Sequence, residues 1–176
     1  MGLFRIPFEV KVADIDESMD ANAEAASEVA RVSRLKAMAV ACDDDDIVIA
    51  ADTIVVCDGK ILGKPRDAAD AHRMLRALSG HTHQVMTGVT VARGQNVISC
   101  TEITDVTFRK LSDKEIDAYI ATGEPMDKAG SYGIQGGAAL FCEGLQGDYY
   151  NVMGLPVCRL FEILREIAPE WMGEML

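Results

Sequence analysis

Ile47-Val48-Ile49-Ala50-Ala51-Asp52-Thr53-Ile54-Val55-Val56 is a nearly continuous apolar, largely β-branched run, and its reading decides the fold. A run of this kind, apolar without alternation, predicts a strand covered on both of its faces. Asp58-Gly59 follows, a favoured two-residue hairpin turn, and Lys60-Ile61-Leu62 returns from it. One carboxylate, Asp52, interrupts the run. In dry surroundings such a group is costly unless it is paired or binds metal. Taken alone, Asp52 is either a strand-end aspartate accepting backbone bonds or a functional group.

On the amino-terminal side, Ala21 to Ala41 is rich in alanine, and Ala25, Val29, Val32, Leu35, Met38 and Ala39 recur at helical spacing, so one long helix is expected. Phe8, Val10 and Val12 alternate with charged residues and predict a short strand. On the carboxyl-terminal side, Asp67 caps a helix whose apolar face is Met74, Leu75 and Leu78 and which Gly80 ends. Gln84 to Ala92 reads as a strand, with Val97 to Phe108 as its antiparallel partner. Ser112-Asp113-Lys114-Glu115 is a capping box opening a helix that Gly123 stops. After the glycine-rich stretch from Gly130 to Gly137, Ala138 to Cys142 reads as a short strand. Pro156 then opens a last amphipathic helix through Leu160, Phe161, Leu164 and Ile167. Strands alternate with helices, but hairpins interrupt the alternation. The expectation is a single α/β domain over residues 1–176 with a mixed sheet flanked by helices.

The chain's 176 residues suit one domain, and 49% are apolar, enough for a sizeable core. No stretch approaches the roughly 20 uninterrupted apolar residues of a membrane helix. The opening residues do not form a signal peptide, and Ile6 breaks the myristoylation pattern that Met1-Gly2 begins. Cys42, Cys57, Cys100, Cys142 and Cys158 are dispersed and odd in number, which speaks against a disulfide scaffold or structural zinc site and for a reducing, cytoplasmic setting. The formal charge of −11 disfavours duplex nucleic acid as a partner but not a nucleotide, which a few lysines and a divalent cation can hold. Asp43 to Asp46 reads as a solvated loop.

Several short segments carry chemistry. Gly63-Lys64-Pro65 combines close backbone approach, a point charge and a stiff exit, which suits a phosphate, although an ordinary turn has the same composition. Asp14-Ile15-Asp16-Glu17-Ser18 gathers carboxylates of the kind that bind Mg²⁺ or Mn²⁺, or that simply face solvent. Lys36 is a cation in an alanine-rich helix. In Tyr132-Gly133-Ile134-Gln135-Gly136-Gly137, glycines flank an amide that can donate and accept at the edge of a base. His81 and His83 read as structural residues at a strand start.

In order along the chain, Asp16-Glu17-Ser18, Arg34-Leu35-Lys36-Ala37, Ala51-Asp52-Thr53, Gly63-Lys64-Pro65, Leu78-Ser79-Gly80-His81, Glu124 to Gly136 and Gly147 to Pro156 together resemble the Maf family from about Phe8 to the last helix. The resemblance implies an elongated α/β fold with a central cleft, related to the inosine triphosphate pyrophosphatases. It implies hydrolysis of nucleoside triphosphates to the monophosphate and pyrophosphate with a divalent metal, Mg²⁺ or Mn²⁺. It makes Asp52 the general base, Glu17 and Asp52 the metal site, Glu17, Lys36 and Lys64 substrate contacts, and Thr53 and Gln135 determinants of base selection in the branch that prefers dTTP and UTP. A homodimer is compatible with it. The family also begins with a strand and a Ser-x-Ser-Pro-Arg-Arg loop that grips the phosphates, and no Ser-Pro-Arg-Arg occurs in these 176 residues. The chain is therefore expected to be cut short at its amino end and to carry an open sheet edge. The alternative to an enzyme is a catalytically weak or inactive nucleotide-binding regulator of septum formation and division arrest.

Overall fold

The structure is a computed structural model that describes residues 4, 6–20, 23–40, 43, 45–171 and 173. Cys42, Asp44, the Met1-Gly2 start and the ends expected for the first helix at Ala21 and Ala41 lie outside the described residues. The elements are α1 (Ala25–Ala39), β1 (Val48–Cys57), β2 (Lys60–Leu62), α2 (Ala68–Leu78), β3 (Thr82–Arg93), β4 (Asn96–Phe108), α3 (Asp113–Ala121), β5 (Cys142–Gln146), α4 (Tyr149–Val152) and α5 (Val157–Ile167). They form one five-stranded sheet in the order β2-β1-β3-β4-β5 with helices on both faces.

The central run folds as β1, and its alternation distributes side chains to two separate cores. Ile54 and Val56 join Met86 and Val29 beneath α1. Val55 and Cys57 join Val85, Leu75, Leu78 and Phe108 on the opposite face, under α2 and α3. On that second face, further along β3, Val89 and Val91 meet Leu160, Ile163 and Leu164 of α5. Coverage on both faces is what makes the run continuously apolar. The expected mixed sheet is corrected, since all four strand pairings among the described residues are antiparallel. The apolar pattern reports burial on two faces and carries no information on strand direction, so an antiparallel sheet clad in helices looks like a parallel one.

Two predicted strands are also corrected. Phe8, Val10 and Val12 lie outside any helix or strand, with no ladder partner among the described residues, and Val12 is 93% exposed. Alternation makes a strand only where an edge and a face are within reach. Ala138 to Leu140 belongs to a 3₁₀ turn, and the strand starts at Cys142. Glu124 accounts for this turn: its carboxylate accepts from the Gly137 backbone N–H at 3.0 Å and from the Tyr119 hydroxyl at 2.8 Å. A Cβ on Gly136 would lie 2.0 Å from the same carboxylate, so a side chain there would push the Glu124 carboxylate from its present position.

The first helix is shorter than the expected Ala21 to Ala41, with Glu24 and Val40 as its caps, whereas the predicted caps of α2 and α3 hold. Asp67 accepts from the Asp70 N–H, and Ser112 and Glu115 form the full capping box. Among the described residues the four cysteines are free, and no helix is long and apolar enough to cross a membrane.

His83 is structural, as expected. Its ring is buried between Phe108 and Tyr132, and its Nε2 lies 2.8 Å from the Tyr132 hydroxyl. Burial pushes its pKa down to about 4. An unfolded histidine titrates near 6.5, so between pH 6.5 and about 4 the unfolded chain binds the extra proton. Stability is then complete above pH 6.5 and falls as pH drops through that window, by about 3 kcal/mol at its lower end. An NMR titration of the imidazole resonances should show this ring still neutral at pH 5.5, whereas an ordinary value near 6.5 would contradict its burial.

Candidate active site

A cleft of about 600 Å³ opens beside β1 where Asp52 and Thr53 sit, lined also by Glu17, Lys36, Gly63, Lys64, Asp127, Lys128, Tyr132, Met153 and Gly154. β2 pairs with β1 only from Val55 to Cys57, so at Asp52 and Thr53 β1 has neighbouring strand on one side alone among the described residues. The cleft can therefore reach both faces of the strand. Asp52 is opposite Gly88 and faces α1, whereas Thr53 is opposite Thr87 and faces α4.

On the α1 side, the Lys36 ammonium donates to Asp52 Oδ1 at 2.7 Å and lies 2.9 Å from Glu17 Oε1. Three elements bring these groups together. Lys36 sits in the last turn of α1, where the helix dipole favours a cation. Asp52 is fixed by the β1 ladder. Glu17 is on an irregular segment that α1 anchors: Arg31 donates to the Ser18 carbonyl at 2.8 Å, and the Asp20 N–H donates to Glu28 at 2.9 Å. Burial works to lower the Lys36 pKa, but the hydrogen bonds to Asp52 and Glu17 outweigh it and hold the ammonium above its ordinary value. The Asp52 side chain is 13% exposed and that of Glu17 53%, so the pair spans from the strand to solvent.

Gly63-Lys64-Pro65 forms another wall. The Gly130 N–H donates to the Gly63 carbonyl at 3.0 Å, tying this loop to the glycine-rich segment. Gly130 has φ of +67° and packs against Val55, with no room for a Cβ, so its backbone and its contact both require glycine. Lys64 is exposed into the cleft. Lys128 bonds Asp127 at 2.7 Å and, with a smaller contribution from Lys64, keeps that carboxyl below its ordinary range. Together Lys36, Lys64 and Lys128 put three cations on one concave surface of an acidic protein.

Five of the six candidate residues thus come together: Glu17, Lys36, Asp52, Thr53 and Lys64 all line the cleft. Gln135 does not. It is exposed on a turn and is not among the lining residues. Of the three carboxylates around Asp14 to Glu17, only Glu17 faces the cleft; Asp16 instead accepts from the Ser18 N–H at 2.9 Å. Lys128, Met153 and Gly154 fall within the Glu124 to Gly136 and Gly147 to Pro156 segments of the resemblance, but no local pattern singles them out, and their tertiary placement brings them to the cleft. A Lys next to an Asp in a surface loop reads as an ordinary salt pair.

Among the described residues there is no group of three His, Cys, Asp or Glu poised for a metal ion. Glu17 and Asp52 nevertheless converge on one cation position, now taken by the Lys36 ammonium. Mg²⁺ is commonly held by only one or two carboxylates, with substrate phosphates and water completing its shell. The two carboxylates fit that requirement.

Residues 1–167 match the family described as Maf-like protein. A dTTP/UTP pyrophosphatase of Bacillus cytotoxicus is 50% identical over 167 residues, covering 94% of this chain and 87% of that protein. Proteins of the same name in Bacillus cereus strains AH187 and ATCC 10987 are each 47% identical over 94% of this chain, covering 87% and 82% of their own lengths. The chain belongs to the Maf family.

Proposed function

We propose that this Maf-family chain hydrolyses dTTP and UTP to the monophosphate and pyrophosphate, with Asp52 as general base. The observation that carries this reading is the Glu17–Lys36–Asp52 constellation in a cleft whose other walls carry Lys64 and Lys128. Splitting the α–β phosphoanhydride requires a base for water and positive charge on the phosphate oxygens. Asp52 is rigid, half-enclosed and within bonding distance of one ammonium, so its second oxygen is available to take a proton from water at the cleft side. The Lys36 ammonium holds Asp52 in place and is positioned to offset phosphate charge. Lys64 and Lys128 are placed to receive the departing pyrophosphate. A divalent cation held by Glu17 and Asp52 would require the Lys36 ammonium to shift off the pair toward the phosphates, and would gather phosphate oxygens and make a nearby water more acidic. The relatives named dTTP/UTP pyrophosphatase support the choice of substrate.

The test is pyrophosphate release from dTTP, UTP, CTP and GTP, each with Mg²⁺, Mn²⁺ or excess EDTA. Release from dTTP and UTP that EDTA abolishes is the expected result. No release from any nucleotide with either metal would overturn the reading and leave a nucleotide-binding regulator in its place.

A further inference from the structure

Thr53 presents its hydroxyl to the cleft, and the hydrogen bonds behind it determine which way that hydroxyl points. Thr53 Oγ1 lies 2.9 Å from Thr87 Oγ1. Thr87 is completely buried, and its own hydroxyl donates to the Asn151 carbonyl at 3.0 Å. A carbonyl can only accept, so both Thr87 contacts are hydrogen bonds only when the Thr87 proton goes to that carbonyl. The proton in the Thr53–Thr87 bond must therefore come from Thr53. Thr53 Oγ1 is left with lone pairs, and no proton, for the cleft.

The anchor of this relay is fixed in turn. Asn151 is fully buried in α4, and its side-chain amide donates to the Val85 carbonyl at 3.1 Å and to Thr104 Oγ1 at 2.9 Å. Thr104 Oγ1 spends its own proton on the Asp148 carbonyl at 3.0 Å, so it can only accept from Asn151. With these assignments both Thr87 contacts are made at once, whereas turning the Thr87 proton toward Thr53 forfeits its bond to the Asn151 carbonyl, which the Gly154 N–H also reaches at 2.9 Å. Gly154 keeps the front of Thr53 accessible: a Cβ there would stand 3.4 Å from Oγ1. Around the threonine the cleft wall is largely apolar, formed by Val152, Met153 and Tyr132, a suitable surface for a planar ring with one directed polar contact.

We propose that Thr87 and Asn151 are positioning residues that lock Thr53 as a hydrogen-bond acceptor, and that this acceptor selects pyrimidine bases carrying an N3–H. Uracil and thymine donate from N3, whereas cytosine has an unprotonated acceptor at the same position. Two facing acceptors repel, so cytosine is rejected by the polarity of one hydroxyl rather than by size. The inference rests on the reading of the cleft as a pyrimidine nucleotide site.

Calorimetric titration of UMP, dTMP and CMP tests it without requiring turnover. The wild-type chain should bind UMP and dTMP more tightly than CMP by on the order of tenfold, the scale set by one unmatched polar contact. In Thr87→Val the Thr53 hydroxyl is released to donate or accept, so the UMP-to-CMP preference should collapse to near unity. Thr87→Ser restores the acceptor and the committed proton and should restore the preference. Thr53→Val should also lose the preference, here through weaker UMP binding, and it carries the test if Thr87→Val does not fold. A preference unchanged in folded Thr87→Val and in Thr53→Val overturns the proposal. So does equal wild-type affinity for UMP and CMP, or no binding of either. A contact from Thr53 to the ribose would leave the ratio unmoved, because the two nucleotides share their sugar. Pyrophosphate release reports separately on the enzymatic reading: a chain selective for UMP but silent with UTP keeps the relay and loses the enzyme, and an active chain with an unmoved ratio does the reverse.

Discussion

Asp52→Asn should lower kcat for UTP by on the order of 10³-fold, within the range for removal of a positioned general base. The substitution is isosteric. The amide can still accept from Lys36 at the distance the carboxylate does, 2.7 Å, but it has no basicity toward water. Thermal unfolding should change little, because Asp52 is at the open side of β1 and contributes to none of the apolar clusters. The effect should appear in kcat far more than in nucleotide affinity, since Lys36, Lys64 and Lys128 remain in the cleft. Steady-state pyrophosphate release and calorimetric nucleotide binding, measured on the same preparation, separate the two. Retention of more than about a tenth of wild-type kcat is too small a loss for a general base and would remove Asp52 from that role. An equal loss of binding would instead make it a positioning group for Lys36.

The legibility of this site in the sequence follows from where its residues lie. Asp52 stands out because it is a charge in an apolar run, and burial on both faces of β1 makes that anomaly meaningful. Glu17 and Lys36 are ordinary taken singly, an acid in an acidic loop and a lysine on a helix. Only the docking of α1 over β1 puts the Lys36 ammonium between two carboxylates. Lys128 likewise becomes a cleft residue only through its tertiary placement. Gln135 shows the converse: the glycines that flank it suit a ligand contact, but it lies outside the cleft lining, and Gly136 and Gly137 approach the Glu124 carboxylate. In the fold, local signals were reliable wherever backbone chemistry is local. Both predicted caps and the Asp58-Gly59 turn formed as expected. Sheet direction and the fate of Phe8 to Val12 depend on partners distant in sequence, and a period-2 pattern cannot report whether a partner edge is there. Thr87, a buried threonine on a strand, has no sequence signature, and Asn151 falls within the Gly147 to Pro156 segment of the resemblance without its role being legible until the hydrogen bonds are traced.

Gly88→Ala should cost about 3 kcal/mol of stability, at the upper end for overpacking a well-packed contact, and lower Tm by roughly 10 °C. The reason is in the contact between α1 and β3. A Cβ at position 88 would stand 2.3 Å from the Val29 carbonyl oxygen and 2.7 Å from the Ala30 nitrogen. Both are helix backbone, so no side-chain rotation relieves the clash and the whole helix must withdraw. Its other ties resist: Ser33 bonds Thr90 at 2.8 Å, and Thr101 donates to the Ala26 carbonyl at 2.7 Å. Gly88 is also the residue directly opposite Asp52 in the β1–β3 register. The helix that must move is the one that carries Lys36, about two turns beyond Val29. A withdrawal of ~1 Å stretches the Lys36–Asp52 bond from 2.7 Å and misplaces the cation, which can cost up to about 10²-fold in rate even in molecules that remain folded. The two effects have separate readouts. Assays at 15 °C, well below the lowered transition, should still show reduced kcat, with nucleotide binding through Lys64 and Lys128 less affected. Full activity at that temperature would mean that α1 can tilt about Gly88 without moving Lys36, and wild-type Tm would mean that the close approach of helix to strand is not a constraint on this fold.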